Sequence, residues 1–159
     1  MKIKVITVGK IKENFFRDAI LEYSKRISKF ASLEIIELQD EKTPDKASES
    51  ENIKILQKEG NRIKEAIKPG EYVISLAIEG KRYDSISFSD KISDICLKGH
   101  NCIDFVIGGS LGIYDEIKKM SNELISFSDM TFPHQLMRVI LLEQVYRAFK
   151  IQNNEPYHK

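Results

Sequence analysis

The stretch CIDFVIGGSLG, residues 102–112, decides the fold. From Cys102 to Ile107 it is a nearly continuous apolar run, broken only by Asp104. Such a run suits a strand buried on both faces, as strands of a parallel sheet are. Gly108, Gly109 and Gly112 follow at once. Without a Cβ, glycine backbone N–H groups can approach a ligand closely. In open α/β sheets ligands bind at this end of the strands. A tight strand-to-helix turn accounts for the same glycines equally well. The spacing is not GxGxxG and no Lys-Ser/Thr pair follows, so neither the dinucleotide fingerprint nor the P-loop fits.

Working outward, Tyr72 to Ile78 is a second buried run, after which Gly80 is expected to turn the chain. Ile3 to Val8 is β-branched and alternating, and Leu33 to Leu38 is a further strand candidate. A last strand is expected near Leu124 to Phe127. Between them Phe16, Ala19, Ile20, Tyr23, Ile27 and Phe30 recur at steps of three and four, predicting an amphipathic helix from about Asn14. Ile53, Leu56, Ile63 and Ile67 predict another, ended by Pro69-Gly70. Gln39 to Ser50, polar, acidic and containing Pro44, reads as a loop. Ser87 to Asp90 looks like a capping box opening a helix that stops at Gly99. A short helix is expected from Asp115 to Met120 and a long one from about Pro133 to Ile151. Strands alternating with helices give an α/β class, a mainly parallel sheet flanked by helices, in a single domain over residues 1–159.

Composition narrows the function classes. Hydrophobic residues make up 42% and charged residues 31% of the chain, which excludes a membrane-embedded or disordered protein. No apolar run approaches the roughly 20 residues needed to span a bilayer, and MKIKVITVGK reads as a strand rather than a signal peptide. A cytoplasmic location is expected. Cys96 and Cys102 bracket His100, a spacing too sparse for a zinc site, so no metal is expected. Net charge is +1, yet residues 1–30 carry eight Lys/Arg against three acids, and residues 34–51 carry seven acids against Lys42 and Lys46. A basic N-terminal face can meet phosphate, or be only a solvated helix surface.

Two further segments hold chemistry. Ile125 to Pro133, ISFSDMTFP, alternates polar Ser126, Ser128, Asp129 and Thr131 with apolar Phe127, Met130 and Phe132. That mixture suits a pocket for a purine with a small polar tail, and equally a helix-capping loop with apolar staples. The final helix is apolar on more than one side, through Leu136, Val139, Ile140, Leu141, Leu142, Val145, Ala148 and Phe149. It is either a subunit interface or a central core helix. The polar tail ending Tyr157-His158 would by itself be a frayed end.

Taken in order, Val8-Gly9-Lys10, FVIGGS (105–110), SFSDMTFPHQLMRV (126–139), EQVYRAFKI (143–151) and PYH (156–158) carry a resemblance. Essentially end to end, the chain resembles the RlmH family of ribosomal RNA large-subunit methyltransferases of the SPOUT superfamily. The resemblance implies a homodimer whose C-terminal half holds a trefoil knot, a feature that general topology rules disfavour. It implies S-adenosylmethionine as cofactor, contacted by Leu76, Gly108, Phe127, Ser128, Asp129, Met130, Thr131 and Phe132. It implies methylation of N3 of a pseudouridine in large-subunit (23S) ribosomal RNA, in the assembled ribosome. Arg147, Tyr157 and His158 match the family's catalytic and substrate positions. Leu111 departs from the pattern, standing in the glycine loop where relatives are expected to carry a polar residue. The competing class is a cofactor-free, knotted RNA-binding or ribosome-associated factor.

Overall fold

A computed structural model describes residues 1–159. Five strands form one sheet in the order β2-β1-β4-β3-β5, and every pairing is parallel. In chain order the elements are β1 (Lys2–Val8), α1 (Asn14–Ile27), β2 (Ser32–Leu38), α2 (Glu49–Ala66), β3 (Tyr72–Arg82), α3 (Ser85–Leu97), β4 (Cys102–Ile107), α4 (Asp115–Met120), β5 (Glu123–Ser126) and α5 (His134–Gln152). The central strands β1 and β4 are buried on both faces, as the apolar run of β4 implies; β1, read as alternating, buries Lys4 and Thr7 as well.

Side-chain alternation divides the core into two layers. Ile3, Val5, Ile103, Phe105 and Ile107 point to the layer of α1, α3 and α5. Ile6, Val8, Val73 and Val106 point to α2 and α4. The long apolar helix α5 is largely the core helix. Leu141, Leu142, Val145, Ala148 and Phe149 are buried within the single chain, each of the larger ones contributing about 1.5–3 kcal/mol. Leu136, Val139 and Ile140 remain half-buried on its other side.

Three local expectations are corrected. Gly80 does not turn the chain; it lies inside β3, where the pairing with β5 jumps from Leu76–Ile125 to Lys81–Ile125 through a bulge. A Cβ at Gly80 would lie 2.6 Å from the backbone of Ile125, so only glycine lets the two strands approach there. Helix α3 opens earlier than the Ser87–Asp90 pattern suggested. Its cap is Asp84, whose carboxylate accepts the Ser87 N–H at 2.7 Å. The loop after β2 ends at Ser48, which forms a complete capping box with Glu51 and starts α2 at Glu49.

The connection from β4 through α4 to β5 crosses β3, which lies between those strands. Helix α4 packs with α2 on one face, while α5 packs against α1 and α3 on the other. The chain therefore changes faces between β5 and α5, and residues 127–133 make that passage. The longest helix, α5, is not apolar enough to cross a membrane, and no other helix is.

Candidate active site

The C-terminal ends of β3, β4 and β5 open into a cavity of about 730 Å³, between the glycine loop and the segment after β5. Its size lies in the range that encloses a cofactor-sized ligand. Leu76, Gly108, Phe127, Ser128, Met130, Thr131 and Phe132 all line it, as do Leu111 and His134. Asp129 does not; it is exposed, and its carboxylate pairs with Arg82. The segment is wound by its own serines. Ser126 Oγ donates to Ser128 O at 3.0 Å, and Ser128 Oγ accepts the Met130 N–H at 3.0 Å. This turn sends Phe127 and Phe132 inward, while Met130 stays 75% exposed at the mouth.

Gly108 has a tighter constraint than ligand approach. A Cβ there would strike the carbonyl of Gly112, closing space that the loop itself occupies. Gly112 has φ +83° and bonds back to Gly109 O at 3.0 Å, so the loop is a compact reversal. Ser110 Oγ lies 3.2 Å from Thr43 Oγ1, which ties the loop to the segment after β2.

His134, at the start of α5, lies against Gly9; a Cβ on Gly9 would come 3.0 Å from its Cε1. Burial, and then the charge of Arg138, hold its pKa below the ordinary histidine value, favouring the neutral ring. Arg138 is fully buried. It donates to Glu37 at 2.8 Å and to the Gly9 carbonyl at 2.5 Å, pinning α5 to the ends of β1 and β2.

The three tail and helix residues come together away from the cavity's centre. Glu143 is their hub, accepting from Arg147 Nη2 at 2.5 Å and from Tyr157 Oη at 3.1 Å. Arg147 lies 4.7 Å from the centre of the Tyr157 ring, and its Nη1 is 3.4 Å from His158 Nδ1. Tyr157 packs edge-on against Tyr146 at 4.8 Å. The tail is therefore not frayed. Burial, then the bond to Glu143, push the Tyr157 phenol above its ordinary value, and the same carboxylate raises the Arg147 guanidinium further. His158 also lines a second cleft of about 500 Å³, which shares Ile125, Ser126, Phe127 and Phe132 with the first.

A family model described as a predicted SPOUT methyltransferase matches residues 1–158. The chain belongs to the SPOUT methyltransferase family. It is 58% identical over 159 residues, the whole of both chains, to the ribosomal RNA large subunit methyltransferase H of Streptococcus uberis. It is 57% identical, again end to end, to the protein of the same name from Streptococcus suis. It also shares its fold with a probable methylase family protein from Haemophilus influenzae, at TM-score 0.57 and 12% identity, covering 99% of this chain and 70% of that one.

In this SPOUT methyltransferase the sequence located the cavity and the tail but missed three residues that organise them. Glu143 stands four positions before Arg147 on one helix face, a spacing that pairs opposite charges and was legible. Arg138 and His134 were part of the quoted motif without a role, because a charged side chain inside an apolar helix reads as a surface residue until its partners are known. Cys96, His100 and Cys102 do not converge. Cys96 lies beside Met1 and His100 packs edge-on against Tyr72. Cys102 instead approaches Asp104 and Glu71, and the Lys4 ammonium supplies the positive charge at that cluster.

Proposed function

We propose that the chain, acting as one domain over residues 1–159, transfers a methyl group from S-adenosylmethionine to N3 of a pseudouridine in large-subunit ribosomal RNA of the assembled ribosome. The observation that carries the reading is the juxtaposition of two clefts across one wall. The larger cavity is walled by Leu76, Phe127 and Phe132 and edged by glycine backbone and serine hydroxyls, which fits a purine with a short polar tail. The smaller holds His158 and receives the target base on the other side of Phe127 and Phe132.

S-adenosylmethionine supplies the methyl group as an electrophilic sulfonium substituent. Gly108, Phe127, Ser128, Met130, Thr131 and Phe132 would hold it, with Leu76 and the two phenylalanines as apolar walls. The chain's own residues prepare the base. The N3–H of a uracil ring is a weak acid, so its proton must leave as the N3–CH₃ bond forms and the S–CH₃ bond breaks. His158, whose ring nitrogen sits near Arg147, takes that proton. Arg147, its guanidinium held by Glu143 and 3.4 Å from His158, would supply positive charge for the anionic ring from behind that histidine. Tyr157 supplies a ring edge and hydroxyl for the base or its ribose.

The homodimer belongs to the same reading. Leu136 and Val139 are only half-buried in the single chain, and an α5–α5 contact would cover them. A trefoil knot is consistent with the change of faces between β5 and α5. The protein works in the cytoplasm, where its ribosomal substrate is.

The test is calorimetric titration with S-adenosylmethionine. The reading expects one site per chain at micromolar affinity or tighter. A chain that binds ribosomes but gives no heat with the cofactor is instead a cofactor-free RNA-binding factor. Sedimentation should show a dimer at micromolar concentration; a monomer with normal cofactor binding removes the α5 interface.

A further inference from the structure

Beneath the glycine loop lies a carboxylate that the reading above does not use. Glu59 is on α2, a helix otherwise rich in exposed charge, yet only 3% of it is exposed. One oxygen, Oε1, accepts the Glu41 N–H at 2.9 Å. The other, Oε2, is buried and has no hydrogen-bond partner. It lies 3.1 Å from the point where a Cβ on Gly109 would sit. Val8 closes the same point from β1, also at 3.1 Å. Gly109 lines the larger cavity. An unsatisfied acceptor is thus held directly behind the backbone that forms the cavity wall.

Leaving a buried carboxylate oxygen unpaired costs about 1–3 kcal/mol, and more for a charged group. An unsatisfied buried group in a fold calls for an explanation, and a state of the molecule that restores the bond supplies one. The adjoining backbone is the part free to respond, since Gly109 carries no side chain to block the approach. The surrounding structure is fixed. Arg62 donates to Gln39 O at 2.8 Å and pairs with Glu41 at 2.5 Å, so the segment after β2 holds Glu59 from the far side.

We propose that Glu59 is a positioning residue for cofactor binding: its free oxygen accepts a backbone N–H of the glycine loop at Gly109 or Ser110 when the cavity is filled. The inference rests on the cofactor reading given above. Filling the cavity locks the loop onto Glu59, and the recovered hydrogen bond adds to the affinity. The groups facing Glu59 are Asp40 and Glu41 from the segment after β2 and Arg62 from α2; β1 and the glycine loop present no charge to it. Burial, opposed by the Glu41 bond and joined by the charge of Asp40, raises its pKa above the ordinary glutamate value. A protonated Glu59 presents O–H where an acceptor is needed, so cofactor affinity should rise with pH through the acid range.

Glu59→Gln separates this role from a structural one. The amide keeps an oxygen for Glu41 and places an NH₂ group at the loop. S-adenosylmethionine titrations of the full-length protein should give about a tenfold weaker Kd, equivalent to about 1.4 kcal/mol. The pH dependence of binding should flatten. The thermal midpoint without cofactor should hold or rise at pH above the ordinary carboxylate range, since a raised carboxyl pKa makes the ionised form the destabilised one. Gly109→Ala, which puts a methyl group in the gap, should weaken binding similarly and add little to Glu59→Gln. Parent-like affinity and pH profile in Glu59→Gln overturn the proposal. So does a lowered midpoint with parent-like affinity, which marks a merely structural residue. A parent chain that gives no heat with S-adenosylmethionine overturns the cofactor reading, and this inference with it.

Discussion

The two ends of the sheet bury charge in opposite ways. At the N-terminal end, Lys4 of β1 lies in register with Asp104 of β4 and is 1% exposed. Its ammonium is 3.1 Å from Asp104, pairs with Glu71, and donates to Ala66 O at 3.0 Å. The two carboxylates there share that one ammonium, which faces Asp104 Oδ2 as an ion-pair partner. At the C-terminal end, Glu59 holds an oxygen without a partner, and burial beside Arg138 biases His134 towards its neutral ring. One end is closed on itself. The other keeps polar groups whose bonding is incomplete in the single chain. In a parallel sheet that asymmetry marks which end does chemistry.

The comparison breaks first at Lys4. Lys4→Met leaves Asp104 and Glu71 facing each other without a cation, and removal of one partner of a buried pair costs about 3–5 kcal/mol. Urea unfolding should show that loss, while S-adenosylmethionine affinity of the folded fraction stays at the parent value. If affinity falls with stability, the two ends are coupled and the contrast drawn here is wrong.

The next largest effect is expected at Glu143. Glu143→Gln should release Arg147 and Tyr157, each held through a charge-assisted bond worth about 1.5–3 kcal/mol. Methyl transfer should fall by about tenfold to a hundredfold, with cofactor affinity unchanged. Unchanged turnover would make Glu143 an ordinary helix-surface acid and leave the tail unorganised.

The closed end also has a pH signature. Burial opposes ionisation of Glu71, but Lys4 and the Lys68 N–H outweigh it and bring its pKa down to about 2. A carboxyl with a depressed folded pKa contributes stability above its ordinary value and loses it as pH falls through the folded one. Asp104, raised to about 6 chiefly by burial, runs in the opposite sense. The stability gap between the parent and Lys4→Met should therefore narrow as pH falls from about 5 towards 2, a range set by the Glu71 shift. A gap that is constant with pH would show that Lys4 acts through packing alone.

The smallest effect is expected at Asp129. Its pair with Arg82 is exposed on both sides, so Asp129→Ala should change stability by less than about 0.5 kcal/mol. A larger loss, by thermal unfolding, would mean the segment after β5 depends on that pair more than on its serine turn.

How much of this was legible follows the same division. The apolar run of β4 and the first half of that of β3 matched their burial, the alternation read in β1 did not foresee its burial on both faces, and glycine after β4 marked the cavity end. Local chemistry misled where tertiary contact overrode it. Gly80 has the composition of a turn but serves a bulge, because what it answers to is the backbone of Ile125, 45 positions later. The Ser87–Asp90 pattern was outcompeted by Asp84, whose carboxylate reaches the same helix end one turn earlier. The tail was readable only by resemblance. Tyr157 and His158 have no periodicity, and their order comes from Glu143 and Arg147, one helix away. Glu59 could not be read at all. A glutamate in a helix rich in charges of both signs looks solvated until the loop it lies beneath is in place.

The central claim is that the cofactor cavity at the open end of the sheet works with the tail that follows α5, through the cleft that holds His158. The direct measurement is transfer of labelled methyl from S-adenosylmethionine to assembled ribosomes, read by mass mapping of the large-subunit RNA. The parent protein and a variant lacking Tyr157, His158 and Lys159 should be compared side by side. The account predicts one N3-methylated pseudouridine with the parent, and none with the truncated protein even though that protein still binds cofactor. Full methylation by the truncated protein, or label appearing only outside the large-subunit RNA, would contradict it.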